Sequence, residues 1–175
     1  MFRKFAFGLI VAICGLSLGG LVRNEGVLAQ NATNSSPQTL IFPGVAFARS
    51  SVVLVSATGR HRFSVEVAAT EAQRRMGLMN RPELNADSGM LFDFETSRHV
   101  AMWMKNTLIP LDMIFITADG RISRIEKNTE PHSLRVISSG GDVRAVLEIN
   151  AGISARLKLK PGDRVEYGIF KNGNN

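Results

Sequence analysis

The sequence predicts a mainly β fold: a compact antiparallel β-barrel-like or sandwich-like single domain with one or two short helices. Three observations carry that expectation. From residue 51 onward the chain consists of short β-type runs, as in Arg62 to Val67, where Phe63, Val65 and Val67 alternate with Arg62, Ser64 and Glu66. Turn residues divide the runs, among them Thr58-Gly59, Asp119-Gly120 and Lys160-Pro161-Gly162-Asp163. Long helices do not alternate with the strands, which favours antiparallel pairing over a doubly wound parallel sheet.

The 175 residues suit one ordinary domain. Hydrophobic residues make up 45% and charged residues 21%, a balance that permits a packed core and argues against a disordered or many-pass membrane chain. The net charge of +6 divides into +2 over residues 1–29 and +4 over the rest, where the bases are dispersed among acids. No basic cluster or aromatic-interleaved motif accompanies that excess, so nucleic acid is not an expected partner.

Along the chain, Arg3 and Lys4 precede an apolar stretch from Phe5 to Leu21, and Val27-Leu28-Ala29 supplies the small or medium side chains of a cleavage site. Residues 1–29 therefore read as a signal peptide cut before Gln30, with export to the periplasm or the extracellular space as the destination. The stretch is near the minimum length for spanning and is interrupted by Gly15, Gly19 and Gly20. An uncleaved segment is the only membrane attachment expected. Cys14 is the single cysteine, so the processed chain holds none and disulfide, CxxC or Cys-based zinc chemistry is excluded. Residues 30–50 are rich in Asn, Ser, Pro and Gln and read as a flexible polar linker; Asn31-Ala32-Thr33 and Asn34-Ser35-Ser36 match the short glycosylation pattern.

Residues 51–171 then form the domain. Val52 to Ala57 and Arg62 to Val67 make a hairpin with one wet face. Thr70 and Gln73 suit a capping box for a helix of about two turns, and Gly77 stands where a left-handed C-terminal residue is wanted. Met90 to Phe94, His99 to Met104, Leu111 to Thr117 and Arg121 to Lys127 read as strands of a meander. Val143 to Ile149 and Arg164 to Phe170 add two more, separated by a short helical turn within Asn150 to Leu159.

The densest mixture of large apolar and polar residues runs from Trp103 to Asp112. Pro110 cannot donate to a ladder and restricts Ile109, so the strand from His99 is expected to stop near Lys105. Trp103 offers a flat apolar wall, and Lys105, Asn106 and Asp112 offer charge and hydrogen bonds to a polar ligand such as a sugar or small anion. The competing reading makes Trp103 a core anchor, Asn106 a turn-former and Asp112 an acceptor for loop N–H groups. Glu148 is conspicuous inside Val146-Leu147-Glu148-Ile149. Facing inward it requires a partner such as Lys105 or an arginine; facing outward it shares an exposed face with Val146. Asp112 and Glu148 are also a candidate acid–base pair. His61, His99 and His132 lack a second ligand at metal-binding spacing, and no GxSxG elbow or phosphate-binding glycine loop is present. Neither metal nor cofactor is implied.

Several motifs recur in a recognisable order: Gly77-Leu78-Met79 with Arg81, Gly89-Met90-Leu91-Phe92, Trp103 to Thr107, Pro110-Leu111-Asp112, Asp119-Gly120, Pro131, and Leu147-Glu148 with Gly152. Over roughly residues 62–170 the chain resembles domain-of-unknown-function family 192, an uncharacterised bacterial and archaeal family often found with signal peptides. The resemblance implies a compact, mostly β, barrel-like domain and no activity. The expected function is an exported, monomeric domain binding a small polar or anionic ligand or cell-envelope component through residues 103–112, with Trp103, Lys105, Asn106, Asp112 and Glu148 as contacts. The alternatives are an enzyme using Asp112 or Glu148 as acid or base, and a structural or protein-interaction module.

Overall fold

The structure, a computed structural model, describes residues 44–170. The expected signal peptide with Cys14, and residues 30–43 of the expected linker, lie outside the described residues. Strands β1 (Ala48–Ser56) and β2 (Gly59–Ala68) are followed by helix α1 (Glu71–Met76) and strands β3 (Ser88–Met102), β4 (Leu111–Ile116), β5 (Ile122–Glu126) and β6 (Ile137–Asn150). Helix α2 (Ile153–Arg156) and strand β7 (Arg164–Glu166) complete the order.

All seven strands belong to one curled sheet in the order β5-β4-β6-β3-β2-β1-β7. Every pairing is antiparallel except that of β2 with β3, whose parallel register follows from the crossover through α1. The sheet curls until its two edges touch: Arg121 and Arg164 form a bridge, the Ile122 N–H donates to the Asp163 carbonyl at 2.8 Å, and the Val165 N–H donates to the Gly120 carbonyl at 2.7 Å. The domain is thus mainly β and barrel-like, with two short helices.

Alternation along the strands builds two cores rather than one. Inside the curl, Leu54, Val65, Leu91, Ile114, Leu147 and Val165 pack together. The opposite face of the middle strands carries Met90, Phe92, Met113, Phe115, Val143 and Val146, covered by Leu78, Met104 and Ile137. The expected exposed face for Val146 and Glu148 is therefore corrected: Val146 is fully buried and Glu148 is buried, because the segments around 77–81 and 102–107 close over them.

The β1–β2 hairpin turns through Ala57-Thr58, with Phe63 and Val65 buried and Arg62 and Ser64 exposed. α1 has the expected capping box: Thr70 Oγ1 accepts from the Gln73 N–H at 3.2 Å, and the Gln73 side chain accepts from the Thr70 N–H at 2.9 Å. Gly77 caps it at φ 49°. Three expectations change. Met90 to Phe94 and His99 to Met104 are one strand, β3, interrupted by irregularities between Asp93 and Arg98 and between His99 and Ala101. β3 ends at Met102 rather than near Lys105. The meander is broken, because β6 inserts between β3 and β4; it pairs with both and brings the apolar faces of each onto its own.

Candidate ligand-binding cleft

A cleft of about 260 Å³ opens on the outer face of the middle strands. One wall comes from α1 and the turn after it, with Met76, Gly77 and Met79. The other comes from the end of β3 and the following loop, with Met102, Trp103, Lys105 and Thr107. The walls are tied at one end, where the Asn80 N–H donates to the Asn106 carbonyl at 2.8 Å. Asn106 takes φ 54°, a left-handed geometry that asparagine tolerates well. Close approach of α1 to the sheet depends on Gly77, since a Cβ there comes within 3.1 Å of Phe92 Cζ.

Glu148 lies at the floor. In the sheet it is flanked by Met90 on β3 and Met113 on β4, so all three side chains share the outer face. It is 4% exposed. Burial pushes its carboxyl up to about 8, and desolvation is the single cause, with no hydrogen bond or charge contributing. At neutral pH this group is an uncharged acid, able to donate one hydrogen bond and accept another.

The rim is cationic. Arg74 is occupied by the carbonyls of Ala69 and Asp93, the latter at 2.7 Å, and Arg75 pairs with Glu71 at 2.5 Å. Arg98 and Lys105 stand in no ion pair among the described residues. The Arg98 guanidinium lies 5.1 Å from the Phe94 ring centre, and Lys105 Nζ lies 5.7 Å from that of Trp103. Trp103 itself is 53% exposed, so it stands at the mouth rather than in the core.

The cleft brings together Trp103, Lys105 and Glu148 of the expected contacts. Asn106 borders it through its loop geometry, with its side-chain amide 4.0 Å from Met79 Sδ. Asp112 is placed elsewhere. It is fully buried and pairs in register with Ile149, one residue out of phase with Met113 and Glu148, so the two carboxyls lie on opposite faces of the sheet. Its Oδ1 accepts from the Asn128 N–H at 2.9 Å; its Oδ2 accepts from the Ser154 N–H at 2.9 Å and from Ser154 Oγ at 2.7 Å. Asp112 thereby fastens the start of α2 and the loop after β5 to β4.

Sequence reasoning passed over Met76, Met79, Met102 and Arg98. Met102 carries the same apolar signal as a core residue, Met76 none that sets it apart, and Arg98 lies beside an irregularity that no turn residue announces. Gly77-Leu78-Met79 was the available signal, since a glycine at a helix end is followed there by two apolar residues with nothing obvious to pack on. Among the described residues no three His, Cys, Asp or Glu side chains converge as a metal site, and no helix is long and apolar enough to cross a membrane.

The model of family DUF192, described as Uncharacterized ACR, matches residues 53–167. A candidate transcription regulator of Sinorhizobium meliloti 1021 is similar in structure, with a TM-score of 0.68 and 50% sequence identity over 70% of this chain and 95% of that one. A protein of unknown function from Novosphingobium aromaticivorans DSM 12444 gives a TM-score of 0.69 and 40% identity over 73% of this chain and 91% of that one. No curated protein matches.

Proposed function

The chain belongs to the DUF192 family, and since membership leaves the activity open, we propose from the geometry of the cleft that the domain binds a small ligand bearing a polar or anionic group. The observation that carries this reading is Glu148, a buried carboxyl with no partner among the described residues, at the floor of an open cleft. A polar group in that position is costly unless something bonds to it, and a ligand supplies the missing partner. Trp103 and Lys105 at the mouth add an apolar plane and an uncompensated cation. Asn106 shapes the loop, and Asp112 holds the sheet beneath it.

Trp103 is the sole tryptophan, so its fluorescence reports on the cleft directly. In a screen of small sugars and organic anions, at least one compound is expected to change it saturably, and Lys105→Gln is expected to weaken that response while the fold is kept. Asp112→Ala is the contrasting variant, expected to cost about 3 kcal/mol of stability by orphaning buried donors. A screen with no saturable response, together with an unaltered fold in Lys105→Gln, would count against the reading.

A second reading has one observation in its favour: an acid uncharged near neutral pH is the state a general acid requires. Conversion of a bound compound, abolished in Glu148→Gln with binding retained, would establish it. Export belongs to the same proposal, supported by Arg3, Lys4 and the apolar run behind them; the protein recovered outside the cytoplasm should begin near Gln30.

A further inference from the structure

Resting on the reading of the cleft as a ligand site, we infer that its ligand is a small aromatic carboxylate with a second oxygen at the end of the ring opposite the acid group. The ring lies among Met76, Met79 and Met102, the carboxylate faces Lys105 and Arg98 at the rim, and the second oxygen meets the Glu148 carboxyl at the floor.

Size comes first. At about 260 Å³ the cleft falls just below the ~300–1,000 Å³ typical of sites for drug-sized ligands, so it takes a compound of about one ring. The character of the walls comes next. Thioethers are polarisable and flexible, and they make favourable contacts with the edges and faces of aromatic rings. Met76, Met79 and Met102 are all half-buried on the walls, with Phe94 and Trp103 beside them. A sugar, with hydroxyls on every side, would leave most of its groups unpaired against such walls.

Charge selects the anion. Of the four cations that line the cleft, Arg74 and Arg75 are satisfied by carbonyls and by Glu71, whereas Arg98 and Lys105 have no carboxylate partner among the described residues. Both stand on the side formed by the end of β3 and its loop, toward solvent. The remaining carboxyl, Glu148, is too deeply buried to carry charge without a counter-ion and presents a hydroxyl donor together with a carbonyl acceptor. A phenolic or similar oxygen meets both. Glu148 is buried, Met76, Met79 and Met102 are half-buried and Arg98 and Lys105 are exposed, an order of depth that the two polar ends and the apolar middle of a para-substituted ring match.

The test is a Trp103 fluorescence titration near pH 6.5 with 4-hydroxybenzoate, benzoate, phenol and benzylamine, with backbone chemical shifts used to locate binding. 4-Hydroxybenzoate is expected to bind tightest. Benzoate, lacking the inner oxygen, and phenol, lacking the charge, should each bind about tenfold more weakly, the effect of one hydrogen bond or one charge contact. Benzylamine should not bind. Lys105→Gln and Arg98→Gln should weaken both acids and leave phenol unchanged. Glu148→Leu should abolish the advantage of 4-hydroxybenzoate over benzoate, and Glu148→Gln, which keeps a donor and an acceptor, should restore part of it. Phenol binding as tightly as the acids, or acids indifferent to Lys105 and Arg98, would overturn the ligand class and leave the cleft as a site. Absence of binding by all four, or shifts confined to residues outside 76–79 and 98–107, would overturn the aromatic carboxylate, and the same absence of response across the screen of sugars and organic anions would overturn the cleft as a site.

Discussion

Glu148 ties the stability of the folded chain to pH in the opposite direction from an ordinary surface carboxylate. Its carboxyl is pushed up to about 8 from an ordinary 4.5, so between those limits the unfolded chain has lost a proton that the folded chain retains. Stability conferred by the protonated group is complete below pH 4.5 and declines as pH rises to about 8, by about 1.4 kcal/mol per pH unit at most. Glu148→Gln removes the titration. The variant is expected to equal the parent near pH 4 and to exceed it by about 3 kcal/mol at pH 7 in denaturant melts, whereas parallel curves would mean that the carboxyl is solvated. The sequence marked this residue as an oddity because a charge interrupts an apolar strand. It also marked Trp103 and Lys105, by their place in a polar, aromatic stretch. That Glu148 shares a face with Val146 followed from alternation, but that this face is covered did not. The cover comes from α1 and from the loop after β3, whose placement depends on tertiary packing.

At the level of elements, β3 and β6 leave no room for a side chain at Gly89. A Cβ there comes within 2.6 Å of the Glu148 carbonyl oxygen and 3.0 Å of Ile149 Cγ2, so any side chain forces the two strands apart beside the floor of the cleft. Gly89→Ala is expected to lower stability by about 3 kcal/mol and to weaken ligand binding as well; a change under about 0.5 kcal/mol would show that the strands yield without cost. Gly89 appeared in the sequence only as part of a motif, because a backbone contact across strands leaves no local trace. By contrast, α1 was fully legible. Thr70, Gln73 and Gly77 act within one or two turns, and their hydrogen bonds are those the spacing implies. β3 stands between these cases. Its two halves each read as a strand, and only the shared partner β6 joins them across the irregularities.

For the molecule as a whole, closure of the sheet is the feature most exposed to test. If the contacts of Arg121 with Arg164, Ile122 with Asp163 and Val165 with Gly120 persist in solution, together with the bond from the Gly162 N–H to the Ile122 carbonyl at 2.8 Å, the amides of Ile122, Gly162 and Val165 should exchange hydrogen about as slowly as those of Leu91 and Leu147. Fast exchange at the first three alone would describe an open sheet. Barrel-like architecture was legible from the number of short strands and the scarcity of helix, whereas strand order was not, since turn residues say where the chain reverses and not which strand lies beside it. The insertion of β6 between β3 and β4 matters most during synthesis. A nascent chain that has emerged as far as residue 126 holds two sets of strands, β1 to β3 and β4 with β5, whose inner edges await the same missing neighbour. Until residues 137–150 leave the ribosome, neither core can close, because Val143 and Val146 complete the outer one and Ala145, Leu147 and Ile149 the inner. Folding is deferred in this way until residue 150 has emerged, and the residues before it remain threadable until then.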